Sequence, residues 1–275
     1  FALPNIFRRL FGEGALSAAF IPEYAGLDRD DPARAARFAS RTMRWLSGVT
    51  IGVMLVIEAI VLALLLLLPA HPERALSFRL MLVMMPFMPM VCATAILGAM
   101  LQVHGRFAPG AAAPILLNAF IIAASLPFVL AGVGDPVLTA YLIGGATLLA
   151  GAAQVWWTLA ALRPHVRWTR DIAGTGEATG RSLRRFVPVV IGLGTIQLNS
   201  LIDTVIAMWP IWVGPTVLGR TVPLDAASNS ILTYTQRLYQ FPLGVFGIAV
   251  ATAAFPMLSR AASDAGEFIG TLRRS

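Results

Sequence analysis

The sequence predicts an all-α polytopic transmembrane helix bundle, and three observations carry that prediction. Hydrophobic residues fill 57% of the 275 positions and charged residues only 13%, about half the charged share of soluble chains. Mean hydropathy is +0.74, which excludes a solvated disordered coil. Apolar runs of about 20 residues, enough to cross a roughly 30 Å hydrocarbon layer, recur along the chain. Leu62–Leu68 and Ala146–Ala153 show no period-2 alternation, so helices rather than a closed barrel satisfy the backbone.

About seven membrane helices are expected: Pro4–Ile21, Arg41–Leu68, Phe78–Val103, Ala111–Ala131, Pro136–Leu162, Leu183–Val213 and Ala226–Ala262. In the first, Asn5, Arg8, Arg9, Gly12, Glu13 and Ser17 recur at helical spacing and share one face, with Arg9 and Glu13 four apart and able to pair. The second carries Glu58 and a Gly48/Gly52 pair that signals close packing. Pro86 and Pro89 interrupt the third, and Pro127 the fourth. Thr195, Asn199 and Asp203 are successive i+4 neighbours in the sixth, and Thr233, Gln236, Arg237, Gln240 and Gly244 form a stripe on the seventh.

The basic excess is all arginine, 21 residues against 14 acids. Segments 22–44, 103–110, 163–185 and 259–275 hold Arg29, Arg34, Arg37, Arg41, Arg44, Arg106, Arg163, Arg167, Arg170, Arg181, Arg184, Arg185, Arg260, Arg273 and Arg274. The alternate loops hold only Arg74, Arg79 and Arg220. This asymmetry assigns the first set to the cytoplasm, and nucleic acid is not needed to explain the charge. By the same parity the first helix descends from the outer side directly at Phe1. The chain therefore reads as lacking a preceding helix, and Glu267–Ser275 reads as the start of a further segment.

Arg8, Arg9 and Arg237 remain, inside apolar segments with Glu13, Glu58 and Asp203. A charge near the centre of a membrane helix costs about 2.5–3.5 kcal/mol on insertion scales and needs a partner or a wet cavity. Three guanidiniums carry about fifteen N–H donors, more than two or three carboxylates can accept. The surplus points to a cavity for an anionic ligand, because guanidinium binds phosphate and carboxylate bidentately. Enzyme signals are absent. Cys92 is the single cysteine; His71, His104 and His165 are scattered; and Gly174–Ser182 lacks phosphate-loop spacing, which leaves a flexible loop as the better account.

The residues of the cavity argument also carry a family resemblance. Pro4-Asn5-Ile6-Phe7-Arg8-Arg9-Leu10-Phe11-Gly12-Glu13-Gly14-Ala15, with Ser17, Phe20 and Pro22, resembles the second-helix signature of the MurJ/MviN lipid II flippases, within the multidrug/oligosaccharidyl-lipid/polysaccharide exporter superfamily. Leu97-Gly98-Ala99, Gln102, Arg106-Phe107, Pro109, Pro114 and Leu117-Asn118 resemble the family's fourth-to-fifth helix connection. Arg237-Leu238, Pro242 through Ala249, Pro256 and Ser259-Arg260 resemble its eighth helix.

The resemblance implies an exporter-type fold of two lobes. Residues 1–162 would be N-lobe helices, 163–185 a cytoplasmic inter-lobe loop, and 186–275 the first two helices of the second lobe with a cytoplasmic tail. It further implies an inner-membrane flippase of the lipid-linked peptidoglycan precursor, working by alternating access without bond chemistry. Arg8, Arg9, Glu13 and Arg237 match the family's cavity residues, with Asn5, Gln236 and Gln240 beside them. Many relatives have acids where Gln236 and Gln240 stand, so this cavity should be more positive. Asp203, with Asn199 one turn earlier, matches a position that contributes to a sodium site in some members, and a sodium gradient or the membrane potential would drive transport. The implied partners are lipid II or a similar polyprenyl-pyrophosphate glycolipid, membrane lipids and cell-wall synthesis proteins. Two alternatives are an exporter of another polyprenyl-linked glycan and a non-transporting scaffold for cell-wall enzymes.

Overall fold

The computed structural model of the chain describes residues 2–12, 15–69, 71–131, 135–214, 216–217, 219–221, 223–236, 238, 242 and 246. Its helices are α1 (Ala2–Gly12), α2 (Ala15–Asp30), α3 (Pro32–Leu67), α4 (Pro72–Met84), α5 (Phe87–Val103), α6 (Ala108–Ala111), α7 (Ala113–Ala131), α8 (Pro136–Leu162) and α9 (Gly176–Trp212). The chain divides into two compact units, Phe1–Asp203 and Thr204–Ser275.

In the first unit α5 is the central helix and packs against α1, α2, α3 and α8. Its sequence explains the position. Met88, Cys92, Ile96, Leu97, Met100 and Leu101 are fully buried yet lie all around the helix, and an element that is apolar on every side belongs in the interior. Cys92 is thus a packed thiol. The Phe20 ring stacks between Tyr24 and Phe38, 5.3 Å from each, and joins α2 to α3 beside α5. On α8, Gly151 lets the helices approach: a Cβ there would lie 2.8 Å from the Phe87 ring. Aliphatic side chains of α3 and α7 face outward instead, with Val56 at 60% and Leu130 at 77% exposure. A continuous outward apolar surface belongs against hydrocarbon.

Four stretches are long and apolar enough to cross a bilayer: Pro32–Leu67, Pro72–Val103, Ala113–Leu130 and Pro136–Leu162. A fifth follows if Gly176–Gly192 and Gln197–Trp212, bent by 45°, count as one span. The expectation of about seven is not confirmed. The first expected segment, Pro4–Ile21, falls on α1, of 11 residues, and the first part of α2, of 16, each helix too short to span alone. Most of the last, 226–262, lies outside the described residues. The expected third segment starts earlier, at Pro72, and divides at Met85–Pro86, where proline cannot donate the helical hydrogen bond.

Helix α3 also starts earlier than expected. Asp31 caps it, its carboxylate accepting the Arg34 N–H at 2.9 Å, and Pro32 occupies the first turn. At about 1.5 Å per residue this helix is roughly 54 Å long, far more than a roughly 30 Å hydrocarbon layer requires. Its N-terminal portion, with Arg34, Arg37, Arg41 and Arg44, therefore extends beyond the hydrocarbon and is free to bind other segments.

In the second unit, β1 (Thr216–Val217) and β2 (Arg220–Thr221) pair antiparallel, Thr216 opposite Thr221. Gly219, at φ +79°, supplies the left-handed turn residue. This hairpin occupies part of the connection after α9, and residues 228–236 are helical.

Candidate functional site

Three arginine-rich segments that are distant in sequence meet at one end of the first unit. The Arg44 guanidinium donates to the Arg170 carbonyl at 3.1 Å, and Arg34 Nε to the Gly174 carbonyl at 3.1 Å. The Thr169 N–H donates to the buried Ser40 hydroxyl at 3.1 Å. The segment after α8 is thereby strapped along the projecting part of α3. From the α5–α6 connection, His104 reaches Tyr24 on α2, with 3.1 Å between Nε2 and the phenol oxygen. His104 also stacks on His165 at a centroid separation of 4.6 Å. Segments 22–44, 103–110 and 163–185, assigned to one side by their arginines, do lie together.

The electrostatics of this end follow from burial. Tyr24 is held above its usual pKa of 10, first by desolvation and then by the nearby Asp28 carboxylate, so it stays a neutral donor. His104 is pushed below 6.5 mainly by desolvation. Asp28, 3.7 Å from Nδ1, opposes that shift and His165 adds to it. Behind these groups a cavity of about 580 Å³ opens between the α2–α3 junction and residues 163–171.

A second cluster fastens the start of α9 to α2. The Arg181 guanidinium grips Glu23 through Nε, at 3.0 and 3.2 Å to the two carboxylate oxygens, and through Nη2 as well. Arg181 also reaches Glu177 one turn back at 2.8 Å. Glu23 is nearly buried, its side chain 8% exposed, while Arg181 is 44% exposed. Ser182 donates to the Ala19 carbonyl at 3.3 Å. These contacts, with the burial of Ala178, explain why helix begins at Gly176 where the sequence suggested a flexible loop through Ser182. An i,i+4 pair and a buried face outweigh the local glycines.

The predicted cavity residues are distributed as follows. Asn5 and Arg9 are half-buried on α1, and among the described residues Arg9 has no ion-pair partner. Arg8 belongs to the same helix, but its side chain lies outside the described set. Glu13, Arg237 and Gln240 lie outside the described residues, and Gln236 is half-buried at the end of the 228–236 helical stretch. Asn199 is exposed and Asp203 half-buried, one turn apart on α9. Two oxygen donors on one helix do not complete a cation's shell. Among the described residues no group of three or more His, Cys, Asp or Glu side chains is placed to hold a metal.

Sequence reasoning missed the histidine pair and the Arg181–Glu23 clasp. His104 and His165 are 61 positions apart, Arg181 and Glu23 158, and no spacing rule links such residues. Only the shared sidedness of the arginine-rich loops carried a signal.

Comparison with known proteins is consistent with this architecture. The model of the family "Lipid II flippase MurJ" matches residues 1–268. The chain belongs to the MurJ family. It is 33% identical to the "Probable lipid II flippase MurJ" of Rhizobium tropici over 270 residues, covering 94% of this chain and 47% of that protein. It is 32% identical to its counterpart in Rhizobium meliloti (strain 1021), covering 95% and 47%, and 29% identical to the "Lipid II flippase MurJ" of Burkholderia cenocepacia, covering 96% and 50%. The chain spans about half the length of these curated relatives. Membership in MurJ, together with four to five spanning helices, makes it a multi-pass protein of the bacterial inner membrane.

Proposed function

We propose that the full-length protein is a flippase that carries the anionic headgroup of lipid II, a polyprenyl-pyrophosphate glycolipid, across the inner membrane. The observation that carries this reading is the family match over residues 1–268, which includes both arginine-bearing stretches, Pro4–Ala15 and Arg237–Ala249. The names of the relatives support the same substrate and a transport role without bond chemistry.

In this reading Arg8, Arg9 and Arg237 attract the pyrophosphate and the peptide carboxylates. Guanidinium suits that task because it stays charged when desolvated and offers a planar fork of donors. Arg9 is half-buried and unpaired among the described residues, as a guanidinium waiting for an anion would be. Glu13, one turn on, orients Arg9. Gln236 and Gln240 flank Arg237 with neutral hydrogen-bonding groups, so its charge remains available to the ligand. The apolar tail stays in the bilayer while the head crosses, because moving the tail would expose apolar surface to water. Alternating access between lobes would open the site to each side in turn, driven by the membrane potential or by a sodium gradient sensed near Asp203 and Asn199.

The experiment is Arg237→Ala in the full-length gene, assayed by complementation of a flippase-depleted strain. Loss of growth at normal expression is expected, and normal growth would overturn the role of Arg237. Competition by headgroup analogues then separates lipid II from other polyprenyl-linked glycans.

A further inference from the structure

We infer that the cavity between the α2–α3 junction and residues 163–171 is a second anion site, distinct from the proposed translocation residues, and that it takes a singly charged phosphodiester. Its volume, about 580 Å³, falls within the roughly 300–1,000 Å³ typical of small-molecule sites.

The argument begins with three guanidiniums that converge on one concavity. Arg37, Arg163 and Arg167 all line it. At the same end of the molecule Arg34, Arg41, Arg44 and Arg181 each donate to a protein acceptor. The three cavity arginines have no hydrogen-bond acceptor among the described residues. Arg37 comes nearest to one, its two Nη atoms lying 3.9 Å from carboxylate oxygens of Asp31 and Asp171, which is beyond hydrogen-bond range. Its Nε is buried without a partner. The side chain as a whole is 28% exposed, so the guanidinium stays open to a ligand that approaches closer than these two carboxylates do.

Charge and field determine what fits. Against the three arginines the lining sets two carboxylates, Asp28 and Asp171, which leaves one formal positive charge from the arginines and acids of the wall. With Asp31 also facing Arg37 from outside the lining, so small an excess disfavours a dianionic phosphomonoester and leaves room for a monoanion. The first residues of α3, Pro32 and Ala33, also line the cavity, so the positive end of a 36-residue helix adds to the attraction. Tyr24, its hydroxyl bonded to His104, forms part of the wall. Because α3 projects past the hydrocarbon here, a phosphodiester can arrive either as a phospholipid headgroup or as a soluble ligand.

The test uses the full chain in neutral detergent and follows thermal unfolding during titration with short-chain phosphatidylglycerol, phosphatidylcholine or inorganic phosphate. The Arg163→Gln/Arg167→Gln double variant is compared with Arg184→Gln/Arg185→Gln, which removes equal charge outside the cavity. All four arginines are exposed and without a protein partner among the described residues, so both variants should fold. Saturable phosphatidylglycerol binding is expected, weakened about tenfold or more in the cavity variant, as for loss of a charge-assisted contact, and little changed in the control. Competition by inorganic phosphate at similar concentrations identifies a soluble source, and its failure to compete identifies the lipid. The inference is overturned by equal binding of phosphatidylcholine, by equal weakening in the two variants, by an unaffected cavity variant, or by no saturable binding of any probe.

Discussion

Replacement of Gly151 by alanine tests the packing of α8 on the central helix. A Cβ at Gly151 would lie 2.8 and 3.2 Å from two atoms of the Phe87 ring and 3.0 Å from the Met90 sulfur. The ring is held in the core, with Phe87 2% exposed, so the helices must separate or the ring must leave its rotamer. Overpacking of this kind costs about 1–3 kcal/mol. Alanine also favours helix over glycine by about 1 kcal/mol, which offsets part of the loss. Gly145 on the same helix separates the two effects, since a Cβ there meets nothing within 4 Å. Gly145→Ala should therefore be neutral or stabilising by up to roughly 1 kcal/mol, leaving Gly151→Ala about 1–3 kcal/mol less stable than its neighbour. Reversible unfolding in mixed micelles measures both, and Phe87→Leu should recover part of the deficit. Equal stabilities for the two alanine variants would refute the close α5–α8 contact.

Two further predictions concern the arginine-rich end. Arg181→Gln strands the nearly buried Glu23 carboxylate, whereas Arg184→Gln removes an exposed charge without a partner among the described residues; the melting temperature should drop for the first and hardly move for the second. Equal drops would exclude the clasp. His104 titrates below 6.5 in the folded chain, so the unfolded chain takes up the proton first and stability falls as pH drops below 6.5. Asp28→Asn removes the charge that opposes this shift and should deepen the acid loss measured between about pH 7.5 and pH 5, while His104→Gln should flatten it. An unchanged pH profile in both variants would contradict the assigned environment.

Much of this was legible in the sequence because lipid simplifies the problem. Runs such as Arg41–Leu68 and Pro136–Leu162 have one viable conformation in hydrocarbon, and both appear as spanning helices. The arginine count grouped four segments on one side without specifying a contact; three of them touch, and the fourth, 259–275, lies outside the described residues. Ends were read less well. Helix α3 begins at Pro32 because Asp31 caps it and Phe38 and Ala39 are buried, a local and tertiary combination that hydropathy does not sense. The start of α9 depends on Glu23, far away in the chain. The stacked histidines depend on two connections meeting in space, so they were read as scattered.

The proposed function rests on Arg9 and Arg237 receiving a pyrophosphate. The most direct measurement is equilibrium binding of purified lipid II to the full-length protein in nanodiscs, native against Arg9→Gln/Arg237→Gln. The expected result is at least about tenfold weaker binding in the variant, with binding to the native protein competed by soluble pyrophosphate. Undiminished affinity in a folded variant would contradict the account.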